Sequence, residues 1–153
     1  MTIQISAKAL ILSGNDVLLI KNEDRYGVGT WYCLPGGVQW PGETLVETLQ
    51  RECREETSLE VIVGPLLWVR EFLRDRHQIT GPGLLEHKIE VMFKCSVNKD
   101  SPKLGTGAPD SSQIGVEWVS LDNISETNVF PKKLQNLREL LEKDFPVYWG
   151  DTL

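Results

Sequence analysis

Three glutamates, Glu52, Glu55 and Glu56, stand at i, i+3 and i+4 in the run Arg51-Glu52-Cys53-Arg54-Glu55-Glu56. At ~100° per residue, a helix gathers them within about one third of its circumference. Like charges so placed repel by roughly 0.2–0.5 kcal/mol per pair. A hard divalent cation, whose preferred ligands are carboxylate oxygens, turns that repulsion into binding. A solvated acidic face is the commoner fate of helical glutamates, but two features weigh against it. Leu45, Val46, Leu49 and Cys53 form an apolar stripe at helical spacing, with Glu52 and Glu56 along its edge. The acids also crowd the C-terminal end of the helix, where the macrodipole disfavours negative charge by roughly 0.3–1 kcal/mol.

The elements that must position these acids begin at a Pro35-Gly36-Gly37 turn. A second start at Pro41-Gly42-Glu43 leads into a helix expected over Gly42 to Thr57, with Glu43 in its first turn. Glu47, Arg51 and Glu55 are spaced i, i+4, i+8, so Arg51 can bridge two acids along one side. The stretch from Gly37 to Leu59 resembles the Nudix signature: a Gly, five residues, a Glu, seven residues, then Arg-Glu-apolar-x-Glu-Glu-x-Gly-apolar. Gly37, Glu43, Arg51, Glu52, Glu55, Glu56 and Leu59 fall in register, and Cys53 fills the apolar slot. Ser58 departs from the pattern, standing where the family has Gly.

The resemblance implies an α/β fold, the Nudix-type α/β/α sandwich with a mixed sheet and a signature loop-helix-loop. It implies Glu55 and Glu56 as the principal metal ligands and Glu52 as a ligand or the base that takes a proton from water. Arg51 would orient those carboxylates, and the Gly36 carbonyl would be a further metal contact. A later acid commonly completes such sites, and the candidates are Glu117, just before Trp118, and Asp110. Arg25, Tyr26 and Gly37 are the candidate substrate contacts. Mg²⁺ suits an all-oxygen set better than Zn²⁺, with Mn²⁺ as a substitute.

The implied reaction is metal-dependent hydrolysis of the diphosphate bridge of a nucleoside diphosphate linked to another group. The segments 87–93 and 116–119 resemble Nudix members that split ADP-ribose into AMP and ribose 5-phosphate, which makes that the first expectation. Nucleoside triphosphates, oxidised ones included, are the alternative, and a non-catalytic nucleotide-binding module of the same fold is a second. The intact Arg-Glu-x-x-Glu-Glu favours the enzyme.

Composition narrows the partners. The chain has 153 residues, with 22 acidic against 16 Lys and Arg, a formal charge of −6. That argues against a nucleic-acid polymer, whose phosphates need a basic surface, and leaves a small nucleotide-derived substrate. No apolar leader or run near ~18 residues is present, so a cytoplasmic protein without membrane association is expected. Cys33, Cys53 and Cys95 lack paired spacing and read as reduced thiols; His77 and His87 are too few for a His-rich metal site.

One domain spans 1–153, with no repeat or linker. Residues 3–12 alternate Ile3, Ile5, Ala7 and Ala9 against Gln4, Ser6 and Lys8, and Gly14-Asn15-Asp16 turns them into Val17–Ile20, a hairpin. Residues 21–31 read as a loop over the site. Trp31 and Trp40 bracket the Pro-Gly-Gly turn, with packing of the loop favoured over stacking on a base. Strands are expected at 59–64, 67–74, 88–97 and 116–119, with loops at 75–84 and 98–114. A final helix begins at Pro131 and turns Leu134, Leu137, Leu140, Leu141 and Phe145 to one face. An exposed sheet edge would support a homodimer.

Overall fold

The alternating segment at the start of the chain forms β1 (Ile3–Ser13), and Gly14, at φ +57°, turns it into β2 (Asp16–Glu23). The structure is a computed structural model and describes residues 2–23, 29–79, 86–106 and 112–153. β1 and β2 pair only at Leu12↔Val17 and Ser13↔Asp16. Nearer its start, β1 pairs instead with β4 (Gly36–Val38), in the register Ser6↔Val38, Ala7↔Gly37 and Lys8↔Gly36. β2 runs on with β3 (Thr30–Cys33) along one edge and, along the other, the strand Gln113–Ser120, which is β7. The sheet therefore forks at β1, and the Pro-Gly-Gly segment lies in the fork.

On its other edge β1 pairs in parallel with β6 (His87–Val97), which is antiparallel to β5 (Val61–Leu73). Two short strands close the mixed sheet in parallel: β8 (Val129–Phe130) on β3 and β9 (Tyr148–Asp151) on β5. α1 (Leu45–Thr57) covers one face, burying Leu49 and Cys53 against Ala7, Ala9, Ile11, Leu18, Val61 and Cys95. α2 (Leu137–Glu142) covers the other, where Leu134, Leu137 and Leu140 meet Leu10, Leu19, Trp68 and Met92. Burying each such leucine stabilises by roughly 1.5–3 kcal/mol. The chain is α/β, a mixed curled sheet with a helix on each face.

Several local expectations are corrected. The signature helix starts at Leu45, not Gly42, because Thr44 caps it. The Thr44 hydroxyl accepts from Glu47 N (3.2 Å), while Glu47 Oε2 accepts from Thr44 N (2.7 Å). Val46 does not join the apolar stripe and is 41% exposed. The Pro-Gly-Gly turn continues as a strand, and residues 21–23 and 30–31 belong to β2 and β3 rather than to a loop. Residues 59–64 and 67–74 form one strand, β5, whose register against β6 shifts between Val63 and Trp68 around Gly64-Pro65. The final helix opens as a 3-10 segment, Lys132–Asn136, before the six-residue α2, and β9 follows it. The three cysteines are free, as expected. Among the described residues, no helix is long and apolar enough to cross a membrane.

Candidate active site

Glu43, just ahead of the Thr44 cap, and Glu52 and Glu55 on α1 come together around one guanidinium. Arg51 Nε donates to Glu43 Oε1 (2.6 Å) and a terminal nitrogen donates to Glu43 Oε2 (3.1 Å), a two-pronged contact. Its other terminal nitrogen reaches Glu52 Oε1 (2.7 Å) and Glu55 Oε2 (3.5 Å). Val38 O accepts from Arg51 at 3.0 Å, and the Trp40 ring lies 3.7 Å from the guanidinium carbon. The expected Glu47–Arg51–Glu55 ladder is therefore replaced: Glu47 is spent on the helix cap, and Glu43 takes its place. Hydrogen bonding from Arg51, helped by Trp40 N–H and the Thr48 hydroxyl, pulls the Glu43 carboxyl down to about 2. Glu43 in turn does most to raise the Arg51 guanidinium above its ordinary value.

Glu56 points the other way, into the fork. Its Oε1 accepts the Gly36 N–H at 2.7 Å, and the residue is 9% exposed. Gly36 has φ +137° and packs so tightly on β1 that a Cβ would lie 2.0 Å from the Ala7 carbonyl oxygen, so only glycine fits. At Gly37 a Cβ would stand 2.5 Å from the Glu52 carboxyl carbon. The two glycines thus let the loop backbone meet two of the acids directly.

From the opposite side of the fork, Lys8 Nζ donates to Gly36 O at 3.2 Å. Burial disfavours its charge, but the neighbouring Cys33, Glu90, Glu56 and Glu52 outweigh that and raise its pKa. Glu90 is nearly buried in a pair with Arg70 (2.7 Å); burial opposes its ionisation, yet Lys8 and Arg70 together hold its carboxyl below the ordinary value. Burial pushes the Cys33 thiol up. Strand alternation had set Lys8 with Gln4 and Ser6 as the polar side of β1; extended to the buried Leu10, the same alternation marks that side as inward-facing.

Glu117 is placed apart from the helix acids. It shares a sheet face with Leu19 and Val119, opposite α1, and its oxygens accept from Lys21 Nζ and Tyr32 OH, each at 3.2 Å. Trp31, in β3 rather than in a loop, packs edge-on against Phe130 of β8 (6.2 Å). Arg25, Tyr26 and Asp110 lie outside the described residues. As they stand, no three carboxylate, imidazole or thiolate groups among the described residues converge closely enough to hold an ion, because Arg51 and the loop amide engage the acids.

The loop and the helix of the Gly37–Leu59 stretch thus meet through the Gly36 amide and Glu56. The family model of the NUDIX domain matches residues 2–142. The chain belongs to the Nudix family. The human 8-oxo-dGDP phosphatase NUDT18 (Homo sapiens) is 50% identical over 64 residues, 41% of this chain and 20% of that protein. The nucleoside triphosphatase NudI of Salmonella arizonae is 35% identical over 96 residues, 60% of this chain and 67% of its own. The crystal structure of the MutT protein from Methanosarcina mazei Go1 matches with a TM-score of 0.65 at 27% identity, covering 92% of this chain and 93% of that one. This Nudix chain therefore spans about a fifth of the length of NUDT18.

Proposed function

We propose that this Nudix hydrolase cleaves the diphosphate bridge of a nucleoside di- or triphosphate with the aid of Mg²⁺ held by Glu52, Glu55 and Glu56 and the Gly36 carbonyl. The carrying observation is the contact of Glu56 with the Gly36 amide. It joins the acidic end of α1 to the loop backbone and brings one hard oxygen donor, the Glu56 carboxylate, beside the Gly36 peptide. The ammonium of Lys8 against Gly36 O supports the donor chemistry, since a cation already rests there. Bound Mg²⁺ would neutralise the phosphates and lower the pKa of an attacking water.

The chain's own residues do the rest. Arg51 orients Glu52 and Glu55 without touching the reacting atoms, and Glu43 and Trp40 hold Arg51. Glu52, over Gly37, supplies an oxygen as ligand or as the acceptor of the water proton. Glu117 is left out of this set, because Lys21 and Tyr32 hold it on the sheet face opposite α1. Water attacks one phosphorus, the bridging P–O bond breaks, and both products leave as phosphates.

The named activities of NUDT18 and NudI support a nucleoside di- or triphosphate ahead of ADP-ribose, which carries only the strand resemblance at 87–93 and 116–119. The test incubates the protein with Mg²⁺ and a panel of nucleoside diphosphates, triphosphates and ADP-ribose. Release of orthophosphate or pyrophosphate with a nucleoside monophosphate is expected. Faster formation of AMP and ribose 5-phosphate from ADP-ribose would reverse the substrate order. Inactivity on the whole panel, with Mn²⁺ as well, would favour a nucleotide-binding module.

A further inference from the structure

The Gly36 peptide is fixed three times over without Lys8. Its N–H is bound by Glu56 (2.7 Å), Ala9 N donates to the preceding carbonyl of Pro35 (2.8 Å), and the β4–β1 register places Ala7 and Lys8 against Gly37 and Gly36. The close contact of Gly36 with the Ala7 carbonyl locks it further. The Lys8 ammonium at Gly36 O therefore adds little to the position of the loop. What it adds is charge. Three glutamates, Glu43, Glu52 and Glu55, share Arg51 as their cation on the α1 side, Glu56 lies against the same Gly36 peptide as Lys8, and Glu90 has Arg70 as its ion-pair partner.

We propose that Lys8 is the resident counter-cation of the signature carboxylates, and that its charge keeps the substrate-free site a weak binder of divalent ions. This rests on the reading of Glu52, Glu55, Glu56 and Gly36 O as the metal's holders. The repulsion between an ammonium and a divalent ion at neighbouring oxygens exceeds the worth of one hydrogen bond to a peptide carbonyl. Removing the charge thus tightens metal binding more than losing the contact weakens it. A site so balanced takes its metal chiefly together with the substrate, whose phosphates supply the negative charge that Lys8 offsets.

The test needs no substrate. Mn²⁺ is titrated into the protein and the free ion is followed by electron paramagnetic resonance, for wild type, Lys8→Met, Lys8→Arg and Glu56→Gln. Lys8→Met keeps the length and removes the charge, and is expected to bind Mn²⁺ at least about tenfold more tightly, a difference of ~1.4 kcal/mol. Lys8→Arg keeps the charge and should stay within about threefold of wild type. Should Lys8→Met not fold, Lys8→Gln carries the same expectation. Equal or weaker binding in the neutral variants overturns the proposal, as does equal tightening in Lys8→Arg, which would make the effect one of shape. Glu56→Gln separates this from the underlying reading: if it binds Mn²⁺ as wild type does, the metal site itself is misplaced.

Discussion

Arg51→Met tests whether one guanidinium organises the acidic cluster. The substitution keeps much of the aliphatic stem but removes every donor and the guanidinium that lies over Trp40. Four contacts at 3.1 Å or less are lost, three to carboxylates and one to Val38 O, together with a longer one to Glu55. Breaking a fully buried pair from one side costs about 3–5 kcal/mol, and exposed pairs cost about 0–1. The Arg51 side chain is 14% exposed, Glu52 16% and Glu55 39%, so the site lies between those limits. A loss of about 2 kcal/mol is expected, lowering Tm by roughly 4–8 °C for a chain of this size. Urea unfolding followed by tryptophan fluorescence measures it, with an unchanged m-value showing that the native state is still compact. Arg51→Lys should recover less than half, because an ammonium cannot span Glu43 with two prongs while also reaching Glu52. An unshifted midpoint for Arg51→Met would mean the cluster is solvated and Arg51 positions nothing; full recovery by Lys would show that charge, not the planar fork, is what counts.

The same pair gives a pH signature. Arg51 holds the Glu43 carboxyl at about 2, below its ordinary 4.5, so the unfolded chain binds more protons between those values and the stabilisation, complete above pH ~5, is lost as pH falls through 2. The stability gap between wild type and Arg51→Met should therefore narrow from pH 5 to pH 2 in urea titrations. Glu56→Gln and Glu55→Gln are each expected to cut turnover at least tenfold, while their circular dichroism stays that of wild type; either one retaining more activity would remove it from the ligand set. Ser58 ends α1 at φ 62° and ψ 5°, where a side chain costs roughly 1–2 kcal/mol. Against a glycine's extra unfolded-state entropy of about 0.4–1 kcal/mol, Ser58→Gly should raise stability by about 0.5–1 kcal/mol in thermal melts, with activity unchanged.

Where the fold depends on neighbours along the chain, the residues announced it. The β1–β2 hairpin followed from alternation and a Gly-Asn-Asp turn, and α1 from its apolar spacing and the Glu52/Glu55/Glu56 triple. The left-handed Ser58 was visible as a mismatch with a pattern that wants glycine. The helix start was misplaced by three residues because Pro41-Gly42 was weighed above Thr44-x-x-Glu47, a capping box equally present in the sequence. β9 was missed because Tyr148–Asp151 is short and opens after an exposed segment; its place is set by parallel pairing with β5, which is ~80 residues distant.

The site divides along the same line. Glu52, Glu55 and Glu56 are gathered by helical periodicity alone, so their spacing sufficed to find them. Arg51 was found too, but its strongest partner, Glu43, lies outside the helix, and no i, i+4 rule reaches it. Lys8 belongs to the other class. It meets Gly36 only because β4 displaces β2 from the edge of β1 and opens the fork, a pairing of residues 28 apart that depends on two glycines fitting where no Cβ can. The motif thus supplies the acids from one helix, while the sheet supplies the cation that opposes them. On the proposed reading, the strength with which the site would hold a metal is the difference between these two contributions, one local and one set by topology.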